Sequence, residues 1–175
     1  RVLVTGSGPI GVLVVAAARL AGAAEIVVTD LFDEPLAIAE RMGATRVVNV
    51  RVASSELEEF TKDGGRFHVA IEVSGNARAL ENCIDATRLG GRIVQVGLLP
   101  AGNSGTPINK VTAKELEVVG TFRFHEEFQW AVDALIADKI DLRPILSGEF
   151  SFSEAINAFE LASDRRKAMK VSLVA

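Results

Sequence analysis

Three glycines and one aspartate carry the most legible chemistry in this chain of 175 residues. Gly6, Gly8 and Gly11 stand in Gly6-Ser7-Gly8-Pro9-Ile10-Gly11, directly after the apolar run 2–4 and before an almost uncharged helical stretch that reaches residue 23. Asp30 lies 24 residues beyond Gly6, at the end of a second apolar run over 26–29. Each residue type suits one task in holding a dinucleotide. Gly6 permits a tight turn off the first strand, Gly8 lets the backbone approach a pyrophosphate, and Gly11 lets the helix lie against a sheet. The helix N-terminus offers unpaired N–H groups and a partial positive charge to phosphates. Asp30 can accept hydrogen bonds from both hydroxyls of an adenosine ribose. The plain alternative is a strand–turn–helix whose glycines serve only packing, which gives Asp30 no reason to follow four strand-like residues.

The remaining reactive side chains are few. Cys83 falls on the apolar stripe Leu80, Cys83, Ile84, Thr87 and reads as an inert core thiol, since reactive thiols need electropositive, accessible surroundings. His68 opens a strand and reads as an edge polar residue, whereas His125, close after Arg123, is a candidate relay. Arg123 can grip a carboxylate with two prongs or form a surface ion pair. Trp130 is expected to pack on the sheet. Arg165-Arg166-Lys167 reads as a solvated turn, with three cations near a bound pyrophosphate as the alternative. The single cysteine and the two histidines show no metal-ligand spacing.

These residues need a scaffold of alternating strands and helices. Strands are expected over 2–5, 26–29, 46–50, 67–73, 92–98 and 116–121, nearly continuous in hydrophobicity, as parallel strands covered on both faces are. Asp33 is expected to cap a helix over 36–42, with Pro35 in its first turn and Gly43 past its end. Ser54 or Ser55 caps a short helix with Leu57 and Phe60. Asn76 caps the helix bearing Cys83, and Gly90-Gly91 ends it. Residues 100–107, Pro-Ala-Gly-Asn-Ser-Gly-Thr-Pro, form a loop. A helix follows over 126–137, with Phe128, Val132, Leu135 and Ile136 on one face. Ser151 and Glu154 form a capping box before a helix over 155–162, and a last strand covers 169–174. The order implies α/β class: a doubly wound parallel sheet with right-handed crossovers over 1–146, and an appended C-terminal segment over 147–175.

With 49% hydrophobic residues the chain can bury a sizeable core. A net charge of −4 argues against a nucleic-acid surface. One cysteine excludes an internal disulfide framework and suits a reducing compartment such as the cytoplasm. Arg19 interrupts the longest apolar run before it reaches the ~20 residues of a membrane span. The chain starts at Arg1 inside a strand pattern, so it reads as an excised piece.

The segments GSGPIG, VVTD, IEVSG, GGRIVQVGLLP, KELEVVGTFRF and KIDLRPIL follow in this order and span essentially the whole chain. Together they resemble the cofactor half of zinc-dependent medium-chain alcohol and polyol dehydrogenases, which use the Rossmann fold. The resemblance implies that Gly6, Gly8, Pro9, Ile10 and Gly11 surround the pyrophosphate of NAD. It places Asp30 on the adenosine ribose, where its carboxylate favours NAD over NADP, and Leu31 beside the adenine. Val73, Ser74 and Gly75 would sit near the cofactor's middle, and Val96, Gly97 and Leu98 at the nicotinamide. Thr121, Phe122 and Arg123 would line the substrate end, and Lys170 would approach the pyrophosphate. It also implies a zinc ion held by a catalytic domain outside this sequence. The chain alone would then bind cofactor without oxidising a polyol or sugar acid such as L-idonate. A homo-oligomer pairing along 116–121 is implied as well. Sorbitol, xylitol and threonine dehydrogenases, a non-catalytic nucleotide sensor, and an S-adenosylmethionine-binding methyltransferase are the rival readings.

Overall fold

The structure, a computed structural model, describes residues 1–102 and 105–175. Asn103 and Ser104, in the expected loop 100–107, lie outside the described residues. Strand and helix alternate as β1 (Val2–Thr5), α1 (Pro9–Leu20), β2 (Ile26–Asp30), α2 (Asp33–Met42), β3 (Arg46–Asn49), α3 (Glu56–Thr61), β4 (Phe67–Glu72), α4 (Ala77–Ala86), β5 (Thr87–Gln95), α5 (Ile108–Ala113), β6 (Glu117–Gly120), α6 (Glu127–Ile136), β7 (Leu146–Ser151), α7 (Ala155–Ser163) and β8 (Lys170–Val174).

The first six strands form one parallel sheet in the order β3-β2-β1-β4-β5-β6, which is the doubly wound arrangement expected. Successive side chains of a strand face opposite ways, so neighbours feed two cores. Leu3 and Val27 pack with Phe60, Phe67 and Ile84 under α3 and α4, whereas Val4 and Val28 pack with Val12, Val15 and Leu36 under α1 and α2. Fully burying each such side chain contributes about 1.5–3 kcal/mol. Strand order reverses between β1 and β4, and the chain leaves these two strands toward opposite faces. A crevice opens there at their carboxyl ends.

Local details differ from expectation for physical reasons. Phe32, not Asp33, is the N-cap of α2, and the Asp33 carboxylate in the first turn accepts from Asn49 Nδ2 at 2.7 Å. Ser55 precedes α3 without a capping hydrogen bond. Asn76 does cap α4, its Oδ1 accepting from the Arg78 and Ala79 amides. Gly90-Gly91 does not separate that helix from the next strand: β5 already begins at Thr87, and the pair lies within it beside a shift in register against β4. The helix α5 arises after the loop where none was expected. Trp130 does not pack on the sheet, being 63% exposed, and Phe128 and Ile136 are exposed too. They sit on α6, beyond the edge strand β6, where no further strand covers them among the described residues.

The C-terminal segment contains an unexpected strand, β7, which pairs in parallel with β8. The capping box forms, with the Ser151 N–H donating to Glu154 Oε2 at 3.2 Å. Ile145 and Met169 belong to the core under α1 and α2, so this unit is docked on that face. No helix is long and apolar enough to cross a membrane among the described residues.

Candidate functional site

The crevice at the β1–β4 divergence is a cavity of about 610 Å³. Its floor is the turn after β1. Gly6 has φ +98°, and a Cβ there would meet Ser74 at 3.1 Å, because the exits of β1 and β4 cross at this point. A Cβ on Gly11 would stand 2.0 Å from the Gly6 carbonyl oxygen, so only glycine lets α1 start this close to the turn. Gly8 is different. Its φ of −66° suits any residue, and a Cβ there would meet nothing within 4 Å. Packing does not ask for a glycine at this position, which lines the cavity. The first helical hydrogen bond of α1 runs from the Val12 N–H to the Gly8 carbonyl at 3.0 Å, so the Ile10 and Gly11 amides precede the helical ladder at its positive end.

Asp30 closes one end of the cavity and is held in a fixed pose. Its Oδ2 accepts from the Ser7 N–H at 2.7 Å, and its Oδ1 accepts from the Leu31 and Phe32 amides at 2.6 and 3.2 Å. The same carboxylate therefore ties the turn after β1 to the end of β2. Ser7 Oγ is buried there without a partner.

Nine of the expected site residues line this one cavity: Gly6, Gly8, Pro9, Ile10, Gly11, Asp30, Leu31, Val73 and Ser74. Gly75, Val96, Gly97 and Leu98 lie next to it rather than in its wall. A Cβ on Gly75 would stand 2.5 Å from the Leu98 carbonyl oxygen, and one on Gly97 would stand 2.2 Å from the Gly75 nitrogen, so the exits of β4 and β5 touch. Phe122 and Arg123 are exposed beyond β6. Arg123 has φ +65°, and its guanidinium lies 5.0 Å over the Phe122 ring. Lys170 opens β8, exposed and outside the cavity wall.

The structure adds residues that sequence reasoning missed, and of the basic cluster 165–167 it brings Arg165 to the cavity. Arg78 and Asn82 of α4 line the cavity, as do Phe32 and Pro35 beside Asp30 and Arg165, Ala168 and Met169 of the C-terminal segment. Arg78 is paired with Glu81 at 2.6 Å, whereas Arg165 makes no ion pair among the described residues. Beneath the crevice, Glu72 at the end of β4 is fully buried. A charged residue closing an otherwise apolar strand was its only sequence signal.

The other candidates stand apart from the cavity. Cys83 is buried, and burial pushes its thiol up to about 12. His68 is exposed at the start of β4. His125 is exposed, and its amide donates to Glu127 Oε2 at 2.9 Å. Among the described residues, no three His, Cys, Asp or Glu side chains are grouped to hold a metal ion. A second groove of about 550 Å³ lies between the carboxyl ends of α1 and α2, where Arg19, Arg41 and Lys139 are matched by Glu40, Asp138 and Asp141. Helix carboxyl ends repel anions, so this groove lacks the electrostatics of the crevice.

Residues 9–137 match the family model of zinc-binding dehydrogenases. L-idonate 5-dehydrogenase (NAD(P)(+)) of Escherichia coli (strain K12) is 37% identical over 174 residues, which is 99% of this chain and 50% of that protein. The crystal structure of L-idonate 5-dehydrogenase from E. coli str. K-12 substr. MG1655 aligns with a TM-score of 0.93 at 36% identity, covering 100% of this chain and 50% of that one. A short chain alcohol dehydrogenase from E. coli CFT073, complexed with NADH, aligns with a TM-score of 0.88 at 25% identity, covering 99% of this chain and 52% of that one. The chain spans about half the length of the curated relatives it matches.

Proposed function

Since the chain belongs to the zinc-binding dehydrogenase family, we propose that it is the dinucleotide-holding part of an oxidoreductase that moves a hydride between a secondary alcohol and NAD. Gly8 carries this reading. It is a glycine that the fold does not require, standing on the cavity wall beside the positive end of α1. A pyrophosphate approaching the backbone supplies the missing reason.

The chain's residues divide the work of binding. The amides of Ile10 and Gly11, with the dipole of α1, take the pyrophosphate of the coenzyme. Asp30 keeps acceptor capacity beyond the amides it already holds, and accepts the ribose hydroxyls. A 2′-phosphate at that carboxylate meets like charge, which favours NAD over NADP. Leu31 borders the adenine, Val73, Ser74 and Gly75 the middle of the coenzyme, and Val96, Gly97 and Leu98 the nicotinamide. Lys170 approaches the pyrophosphate from β8. Arg123 offers a two-pronged site for a sugar-acid carboxylate. The bound coenzyme supplies the hydride acceptor.

The zinc that the family's description implies does not fit the donors present. Cys83 is buried and neither histidine joins it, so no step is assigned to a metal within this chain. In this reading residues 147–175 belong with a catalytic domain. The exposed apolar side chains of Phe152, Ile156 and Phe159 form the face that such a domain covers. The likeness to L-idonate 5-dehydrogenase favours L-idonate, oxidised to 5-ketogluconate, as the substrate of the whole enzyme. The open β6 edge favours a homodimer, and sedimentation as a monomer at micromolar concentration contradicts that pairing; the single cysteine favours a reducing compartment such as the cytoplasm.

Fluorescence titration of the chain with NADH and NADPH tests the cofactor assignment. Saturable binding with NADH preferred is expected. Absence of binding at millimolar coenzyme overturns it.

A further inference from the structure

Glu72 is a carboxylate with 0% exposure, and its hydrogen-bond partners are all neutral. Its Oε1 accepts from the Ser74 N–H at 2.8 Å, the Ser74 hydroxyl at 2.5 Å and the Gly75 N–H at 3.0 Å. Its Oε2 accepts from Gln95 Nε2 at 2.5 Å, and the Thr5 hydroxyl stands 3.5 Å from Oε1. No lysine or arginine forms an ion pair with it among the described residues. The ring of donors satisfies the oxygens but leaves the charge uncompensated, and burial leaves its field poorly screened. A neutral side chain would tie these loops together at lower desolvation cost.

The carboxylate lies directly beneath Gly97, where a Cβ would stand 2.7 Å from Oε2. The inference that follows rests on the proposed placement of the nicotinamide at Val96, Gly97 and Leu98. The oxidised ring carries a positive charge and the reduced ring is neutral. We infer that Glu72, through its uncompensated buried charge beneath Gly97, sets the preference of the site for oxidised over reduced coenzyme. The carboxylate stabilises NAD⁺ and is indifferent to NADH, so the bound couple is poised toward hydride donation.

The charge effect separates from loop support by comparing three ligands. NADH binding is followed by fluorescence, NAD⁺ by competition against it, and ADP-ribose, which lacks the nicotinamide, by calorimetry. In E72Q the ratio Kd(NAD⁺)/Kd(NADH) is expected to rise about tenfold, the order of a partly screened unit-charge interaction. That change equals ~30 mV in the potential of the bound two-electron couple. Affinity for ADP-ribose is expected to stay within about twofold of wild type, because loop support alone weakens all three ligands alike. Q95K provides the same test without removing the carboxylate, since an ammonium in place of the Gln95 amide neutralises Oε2. It covers the case in which E72Q does not fold. An unchanged ratio in whichever variant folds overturns the role of Glu72 and leaves the coenzyme assignment standing. A wild-type chain that binds neither NADH nor ADP-ribose overturns the assignment itself, and this inference with it.

Discussion

Gly8 and Gly11 belong to one motif, yet alanine at each should fail in a different way. At Gly11 the new methyl stands 2.0 Å from the Gly6 carbonyl oxygen and 2.8 Å from its carbon, both backbone atoms that cannot swing aside. The turn after β1 must move, at the ~1–3 kcal/mol or more typical of an overpacked contact. For a chain of this size each kcal/mol lowers Tm by roughly 2–4 °C. At Gly8 the methyl meets nothing within 4 Å, and the backbone already sits at φ −66°. Restricting the unfolded chain stabilises by about 0.4–1 kcal/mol, and the poorer N-cap gives back a few tenths or more. Gly8→Ala should therefore melt within ~2–4 °C of wild type. Its methyl projects into the space assigned to the pyrophosphate, so NADH affinity should fall at least ~10-fold, about 1.4 kcal/mol. Thermal melts with NADH fluorescence titration measure both quantities on the same samples. If Gly8→Ala binds NADH as wild type does, the phosphate does not approach this backbone. If it loses as much stability as Gly11→Ala, the glycine serves packing and the reasoning from open space is wrong.

Asp30→Ala leaves the Ser7, Leu31 and Phe32 amides without their acceptor as well as removing the ribose contact, so NADH affinity should drop by ~10-fold or more. The milder Asp30→Ser should narrow the margin between NADH and NADPH, and an unchanged margin refutes the like-charge argument. Arg165→Ala should weaken NADH roughly threefold to tenfold and flatten the salt dependence of binding, since a guanidinium on the cavity wall is then absent. Asn76→Ala removes the cap of α4 and should cost about 1 kcal/mol, read as a Tm drop of ~2–4 °C. Cys83, held up to about 12 from an ordinary 9.0, should resist a thiol reagent at pH 8 in the native chain and react once unfolded. Because its folded pKa is raised, its contribution is fully present below pH 9 and is lost between pH 9 and 12. That loss should be missing from the pH dependence of denaturant melts of Cys83→Ala.

What could be read in the sequence follows from how each element is buried. β1 and β2 are covered on both faces and therefore spell out the apolar runs Val-Leu-Val and Ile-Val-Val, which is why their bounds are legible within a residue. β7 reads Leu-Ser-Gly-Glu-Phe-Ser because it is part of a small two-stranded sheet with little to bury, so its pattern resembles loop. Gly90-Gly91 suggested a break because such pairs usually end elements, whereas here they let β5 shift its register against β4. α6 has an apolar face in sequence that the described fold leaves open, so its pattern misled on packing. The glycine turn and Asp30 were legible because local spacing places them at adjacent strand ends. Glu72 was not, and Arg165 was legible only as one of three clustered cations. The partners of Glu72 come from loops that meet it only in the fold, and Arg165 reaches the cavity from the far end of the chain.

The central claim is that the turn after β1 and the carboxylate of Asp30 form one cradle for an adenine dinucleotide. A crystal of this chain grown with NADH tests it most directly. The account predicts the pyrophosphate against the amides of Ile10 and Gly11, with a ribose hydroxyl on Asp30. Coenzyme density at the groove between α1 and α2, or anywhere away from Gly8, contradicts it.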